Sequence, residues 1–459
     1  MIDAYGHSKS PFNTIHRSIS GFLSRYGSLE KLGLSVVLVY CIYWITPGQY
    51  AGSLRVAYIA LGGLFLYVCA VKRAFPTKVS PAIVFLFLIY LWGVFCSVYA
   101  EIYLGRNEGL GRVYWYGIEH SIPFFVASCL VALNPDMRRI VIGMIFITFS
   151  LSCFFGLLQF MRIPPVIALS RLYTYKSIDN WDSGGGIRAI GLTWHPRILA
   201  IQGIFCLAVS LSHFLNRESK TKYLVFMVVF STCIVASQAR QYIPALGLIW
   251  IYILYRLNRS NPKVAAVMMI SLACVAMVGV MFAGRRLSYM FQSSSLSEDA
   301  SYNYRADNNW IQSKAIYEQL PLTGIGPDRL MFMGPNSDFH DKWTQGRLME
   351  SAYRLFLAMY GLPGLILLIL FLCSLIYQAS VNLAKSRDPD SNTVGMVLLF
   401  VGISIAISCY ASNVFDEYQS IPVLMMLSGL ILNRSRVTRL NQSESISMSK
   451  SIYPVESQS

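Results

Sequence analysis

The sequence predicts an all-α membrane protein that crosses the bilayer about twelve times. Three observations lead there. Of 459 residues, 55% are hydrophobic and only 13% charged, whereas a soluble chain carries about 25% charged residues. Many apolar residues are gathered in runs of ~18 or more, long enough for a helix to cross the ~30 Å hydrocarbon core. The runs are rich in Leu, Ile, Val and Phe and lack period-2 alternation, which selects helices over a closed barrel.

The predicted spans lie at about 32–46, 54–71, 81–99, 114–133, 140–158, 197–214, 222–237, 242–256, 264–283, 352–377, 394–411 and 419–432. Several are short for a bilayer, and the last is the weakest. Lys and Arg recur in every second loop: Lys72, Arg73 and Lys78, then Arg138 and Arg139, Arg217, Lys220 and Lys222, Arg256, Arg259 and Lys263, and Lys385 and Arg387. The N-terminus (Lys9, Arg17, Arg25, Lys31) and the tail (Arg434, Arg436, Arg439, Lys450) share the bias. That side holds most of the net +15, so it is assigned to the cytoplasm together with both termini. Positive charge in short loops is a topology signal and argues against nucleic acid as a partner. No cleavage site follows the first run, so it is expected to remain a span. The Ser-rich tail is expected to be disordered.

The chain therefore divides into a cytoplasmic N-terminus (1–31), nine spans (32–283), a large outer loop (284–350), three spans (351–432) and a cytoplasmic tail (433–459). All ten cysteines fall inside apolar runs. This indicates packing residues rather than a disulfide framework or a metal knuckle.

Two outer segments stand out, 161–196 and the large loop. Both are too rich in aromatics for disorder, with Tyr173, Tyr175, Trp181 and Trp194 in the first and Tyr302, Tyr304, Trp310, Tyr317, Phe332, Phe339 and Trp343 in the second. Residues 301–320 are predicted to form a helix, with Ala306, Trp310, Ile311, Ala315 and Tyr317 as its apolar stripe. Pro321 ends it, and Gly324-Ile325-Gly326-Pro327 makes a turn.

Arginine on the outer side needs a local reason. Arg240 sits in a very short link between two apolar runs. It either snorkels to headgroups or clamps an anion, because guanidinium binds phosphate bidentately and stays charged. Arg188, just before the span that starts near Pro196, and Arg305, on the loop helix, are surface arginines or partners in the same clamp. Together the three suit a diphosphate at the membrane surface. Glu350 begins the tenth span, as a carboxylate that complements the helix dipole or as a general base. His195, His340 and Arg354 are further candidates for substrate contact, with structural roles open for both histidines. His120 and His213 are read as span-edge residues. Walker, HExxH, GxSxG and GxGxxG motifs are absent, and no Asp-x-Asp pair lines the outer face to hold a metal-bound sugar nucleotide.

The order of these segments resembles the O-antigen ligase and polymerase family of bacterial envelope proteins. Arg188-x-x-Gly191-x-x-x-x-Pro196 resembles its Arg-Gly-Pro segment, and Ser237-Gln238-Ala239-Arg240 its Ser-x-x-Arg hairpin tip. Arg305 to Trp310 followed by Pro321-Leu322-Thr323-Gly324-Ile325-Gly326 resembles its large-loop helix and Pro-Leu-x-Gly-x-Gly. Glu350-Ser351 and, after a gap, Gly361-Leu362-Pro363-Gly364 resemble its His-(Asn/Ser/Gln) and Gly-x-x-Gly pattern, with Glu350 where the ligases carry histidine.

The resemblance implies a glycosyltransferase C-like membrane fold at the bacterial inner membrane, active on the periplasmic side without metal or cofactor. Its substrate would be an oligosaccharide on undecaprenyl diphosphate, with membrane lipids around it and chain-length regulator and flippase proteins as partners. Arg188, Arg240 and Glu350 would be catalytic. Arg305, Trp310, His195, His340 and Arg354 would bind substrate. The departure at Glu350 favours a polymerase of surface polysaccharide (O-antigen, capsule or exopolysaccharide) over a ligase to lipid A core or protein. A lipid-linked sugar transporter or flippase is the alternative of another class. It is disfavoured because the spans are read as almost free of ionisable groups. A non-catalytic assembly or sensing protein is the remaining alternative.

Overall fold

The computed structural model describes residues 24, 26–72, 74–75, 79–104, 109–173, 188–193, 195–216, 220–260, 309–327, 351–412 and 420–432, and single helical positions at 262, 266, 269, 270 and 273. Among them all regular structure is helical. The order is α1 (Ser28–Trp44), α2 (Gly48–Val71), α3 (Pro81–Leu104), α4 (Gly109–Leu133), α5 (Met137–Phe160), the short α6 (Pro164–Ser170), α7 (Pro196–Asn216), α8 (Lys220–Ala236), a 3₁₀ turn (Arg240–Tyr242), α9 (Ile243–Ser260), α10 (Asn309–Gln319), α11 (Ala352–Lys385), α12 (Pro389–Ser408) and α13 (Ser420–Ile431). Seven of these helices are long and apolar enough to cross a membrane. The helices α1–α5, α7–α9 and α11–α13 lie on the predicted runs, and most of the run at 264–283 is outside the described residues.

Several helices outlast the apolar runs. Helix α3 runs on to Leu104 and α4 begins at Gly109, both inside the stretch left between the predicted spans 81–99 and 114–133. Hydropathy measures the length a lipid tail covers, and a helix continues until its capping groups or a turn stop it.

The arrangement is layered. In α7 almost every residue is buried, and in α13 every residue is. Helices α2, α3 and α5 instead turn apolar side chains outward, among them Leu64, Tyr67, Phe87, Leu91, Phe95, Ile147 and Phe154. Outward apolar faces suit lipid, which needs no polar rim. Helix α13 has 12 residues, a length of about 18 Å. It is enclosed by α4, α11 and α12 rather than by lipid. Its terminal carbonyls are served by Arg138, which donates from Nε to Leu430 O (2.8 Å) and from Nη2 to Leu432 O (3.1 Å). Arg138 Nη1 also meets Asp388 Oδ2 at 3.2 Å. One guanidinium thus joins α5, the start of α12 and the end of α13, and places a cation on a helix C-terminus.

Ionisable side chains do lie inside the helices, contrary to the expectation from sequence. Glu119, near the middle of α4, is completely buried. It is paired with Arg55 of α2 and accepts from Tyr43 Oη of α1 at 3.1 Å. His120 is buried beside it, hydrogen-bonded through Nδ1 to Tyr90 Oη of α3. It is therefore no span-edge residue. A buried carboxylate is tolerable there because it is paired and hydrogen-bonded.

Helix α11 breaks at Gly361, where φ is 66° and ψ −168°. Pro363 follows and has no N–H to offer Met359 O. The orphaned groups are satisfied by the turn after α10. Ile325 N donates to Ala358 O (2.9 Å), Gly326 N to Met359 O (3.0 Å), and Leu362 N to Pro321 O (2.9 Å). Trp92 Nε1 of α3 donates to Tyr360 O at 2.8 Å. The approach needs glycine, because a Cβ on Gly324 would stand 2.3 Å from Ala358 O at a φ of +59°. The Pro-Leu-x-Gly-x-Gly and Gly-x-x-Gly segments are thus the two halves of one clasp.

Helix α10 is described over Asn309–Gln319, and its buried residues include two outside the predicted stripe. Ser313, Ala315 and Ile316 are buried, with Ile316 and Ile325 against Leu355, Ala358 and Met359 of α11, while Tyr317 is only half-buried. Docking onto α11 selects that face, and solvent-side periodicity alone does not reveal it. Residues 301–308, with Arg305, are outside the described residues.

Gly324→Ala is expected to destabilise the protein by about 2 kcal/mol or more, through strain and overpacking. Gly247→Ala, in α9 with nothing within 4 Å of a new Cβ, is expected to stay within about 0.5 kcal/mol or to stabilise slightly. Thermal unfolding in detergent compares the two, and equal Tm values would remove the clasp as a stabilising contact.

Candidate functional site

The site is built from the backbone outward. Gln159, in the last turn of α5, holds the strip 188–193. Its Oε1 accepts from Ile190 N (3.0 Å) and Gly191 N (2.9 Å), and its Nε2 donates to Gly191 O (2.9 Å). Ser152 Oγ accepts from Leu192 N at 3.0 Å. On the other side Ala189 N donates to Ala236 O at 3.1 Å. The strip therefore lies between the ends of α5 and α8.

The link from α8 to α9 forms the facing wall. Ser237 Oγ donates to Ile234 O (2.6 Å) and accepts from Ala239 N (3.2 Å), tightening the tip. Gln238 takes a left-handed φ of 51°, which costs a non-glycine residue about 1–2 kcal/mol. Arg188 Nη2 donates to Gln238 O at 3.4 Å. Arg240 then opens the 3₁₀ turn. Two of the three predicted arginines are thus brought to one place, both partly buried.

His195 and Arg197 stand at the start of α7. Arg197 donates to His195 Nδ1 from its backbone N (3.1 Å) and from Nε (3.2 Å), and its Nη2 lies 3.2 Å from Nε2. Arg197 had no predicted role. Its signal was its position, because a cation in the first turn of a helix opposes the helix dipole. Tyr173 Oη donates to Ile45 O at 2.9 Å, tying the end of the described segment at 173 to the α1–α2 link. Burial raises its phenol pKa.

The start of α11 forms a separate group. Ser351 is buried and donates from Oγ to Cys409 O at 3.2 Å, and Ala352 N donates to the same carbonyl at 2.9 Å. Arg354 lies 5.8 Å from the centroid of Tyr410, a cation–π distance. The α12 helix packs both against α11 and against the 3₁₀ turn of Arg240. Glu350, Arg305 and His340 lie outside the described residues, as does the side chain of Trp310, whose backbone is in the first turn of α10.

The fold defines a polytopic all-α membrane protein, with the partly buried Arg188 and Arg240 where helix ends come together. Residues 224–372, about a third of the chain, match the family model described as O-antigen ligase, which supports the resemblance to the O-antigen ligase and polymerase family. The match runs from α8 to past the break in α11, so it takes in the Arg240 tip and both halves of the clasp. Arg188, His195 and Arg197 precede it. No curated protein matches the chain.

Gln159→Leu removes the acceptor of two buried N–H groups. It is expected to destabilise by about 1–3 kcal/mol for each donor left unsatisfied. An unchanged Tm would mean that the 188–193 strip does not depend on α5.

Proposed function

We propose that the chain polymerises undecaprenyl-diphosphate-linked oligosaccharide repeat units into a surface polysaccharide at the periplasmic face of the inner membrane. The observation that carries this reading is the meeting of Arg188 with the Ser237–Arg240 tip. Two chain segments set cations around one spot at the end of the bundle. Two guanidinium groups suit a diphosphate, which accepts hydrogen bonds on all its outer oxygens.

In this reading the acceptor hydroxyl oxygen attacks the anomeric carbon of the donor sugar. The bond from that carbon to the diphosphate oxygen breaks, and the lipid diphosphate leaves with the electron pair. Arg188 and Arg240 offset the charge that develops on it, an electrostatic role for preorganised cations. Glu350 takes the hydroxyl proton, and Arg305, Trp310, His195, His340 and Arg354 hold the glycan. Arg197 positions His195 through the observed hydrogen bonds. No step calls for a metal or cofactor.

A ligase that transfers the glycan to lipid A core or protein is the second reading, favoured by the description of the matching family model. Glu350, where ligases carry histidine, favours the polymerase. Incubating purified protein with lipid-linked repeat units, alone and with lipid A core, separates the two. A ladder without core supports polymerisation, and a single core-linked product supports ligation.

Arg188→Ala and Arg240→Ala are each expected to lower kcat/KM by about 10²–10³-fold, the scale of losing one transition-state donor. Lysine at either position should restore part of this, because it keeps the charge but not the bidentate fork. Normal elongation by the double alanine variant would falsify the diphosphate assignment.

A further inference from the structure

The tip between the two arginines carries a second oddity. Gln238 holds a left-handed backbone, where glycine or asparagine is the ordinary choice. Its side chain is also buried, with 9% exposure, and neither Nε2 nor Oε1 has a hydrogen-bond partner. Directly after Arg240 in the chain, Gln241 Nε2 is buried and unpartnered as well. A strained backbone and an unsatisfied buried amide are both costly, and here they coincide at the residue whose carbonyl receives Arg188. Such coincidences gather where a ligand completes the hydrogen bonding.

The missing partner has a defined chemistry. Diphosphate oxygens only accept, so they could satisfy Nε2 but not Oε1. A group that also donates is needed, and a sugar hydroxyl or an acetamido group both donates and accepts. We propose that the Gln238 amide recognises a hydroxyl or acetamido group on the sugar directly attached to the diphosphate, and so selects the first sugar of the donor. This rests on the diphosphate reading of Arg188, which donates to Gln238 O, and of Arg240, two residues further along the same tip. Gln238 is then a specificity residue that leaves the charge chemistry to the arginines.

The test uses the purified full chain in detergent and three probes: undecaprenyl diphosphate, its glucosyl form and its N-acetylglucosaminyl form. Wild-type protein is expected to bind at least one sugar-bearing form about tenfold more tightly than the bare lipid, the worth of about one net hydrogen bond. Gln238→Met keeps the side-chain length and removes both polar atoms. It is expected to bind the bare lipid as wild type does and to lose the tenfold preference. Gln238→Asn covers the case in which the methionine variant does not fold. Asparagine tolerates the left-handed backbone, yet its shorter amide is expected to lose most of the preference. If wild type shows no preference among the probes, or if a folded variant keeps it, the sugar-recognition role is overturned and the diphosphate reading stands. If wild type binds none of the three, the diphosphate reading itself falls, and this inference with it.

Discussion

Backbone that leaves helical geometry inside an apolar bundle must find its hydrogen bonds within the protein, because lipid offers none. The break at Gly361 is where this constraint acts most strongly. Ala358 O and Met359 O lose their helical donors there, and Leu362 N loses its acceptor. The turn after α10 returns all three bonds, and Trp92 of α3 serves Tyr360 O. The return of the chain from its large loop is thereby fixed to a known point on α11. The first turn of α11 and the helix after it are placed by the same register: the buried Ser351, Arg354 over Tyr410, and the α12 helix that also leans on the Arg240 turn. Residues 321–326 of the predicted outer loop are thus tied to the helix bundle.

Much of the helical layout was legible in the sequence because burial in lipid and burial in protein both demand apolar side chains. The limits of that signal are equally physical. Helix ends at 101–104 and 109–113 carry polar residues and still continue the helix, so hydropathy placed a loop there. On α10 the predicted stripe omitted Ile316, which is selected by its partners on α11. In the site, the sequence order of motifs pointed to Arg188 and Arg240, and Arg188 donates to Gln238 O, two residues before Arg240. What holds them was invisible. Gln159 acts on backbone groups about thirty positions away, and no local pattern records such a bond. Gln238 looked like an unremarkable polar residue in a short link, since neither its φ nor its lack of partners is a property of composition.

Charges buried between helices were the largest misreading. Arg55 and Glu119 each sit alone in a strongly apolar stretch, and averaging over the stretch hides them. Their pairing, with Tyr43 donating to the carboxylate, joins α1, α2 and α4. The supposed absence of such groups had counted against a transport function. That support is withdrawn, and the case for a glycan-transferring enzyme rests instead on the family match and the arginine-bearing end.

Helix α13 carries a consequence for biogenesis. It is synthesised after every other described helix, and alone it is too short to reach across a bilayer core. Insertion of such a segment cannot rely on partitioning into lipid. It enters a slot that α4, α11 and α12 have already shaped, and Arg138 then closes its exposed carbonyls. The protein surface of the bundle thus acts as template for α13. Among the described helices it works as a keystone, and removing it would open a slot between α4 and α12.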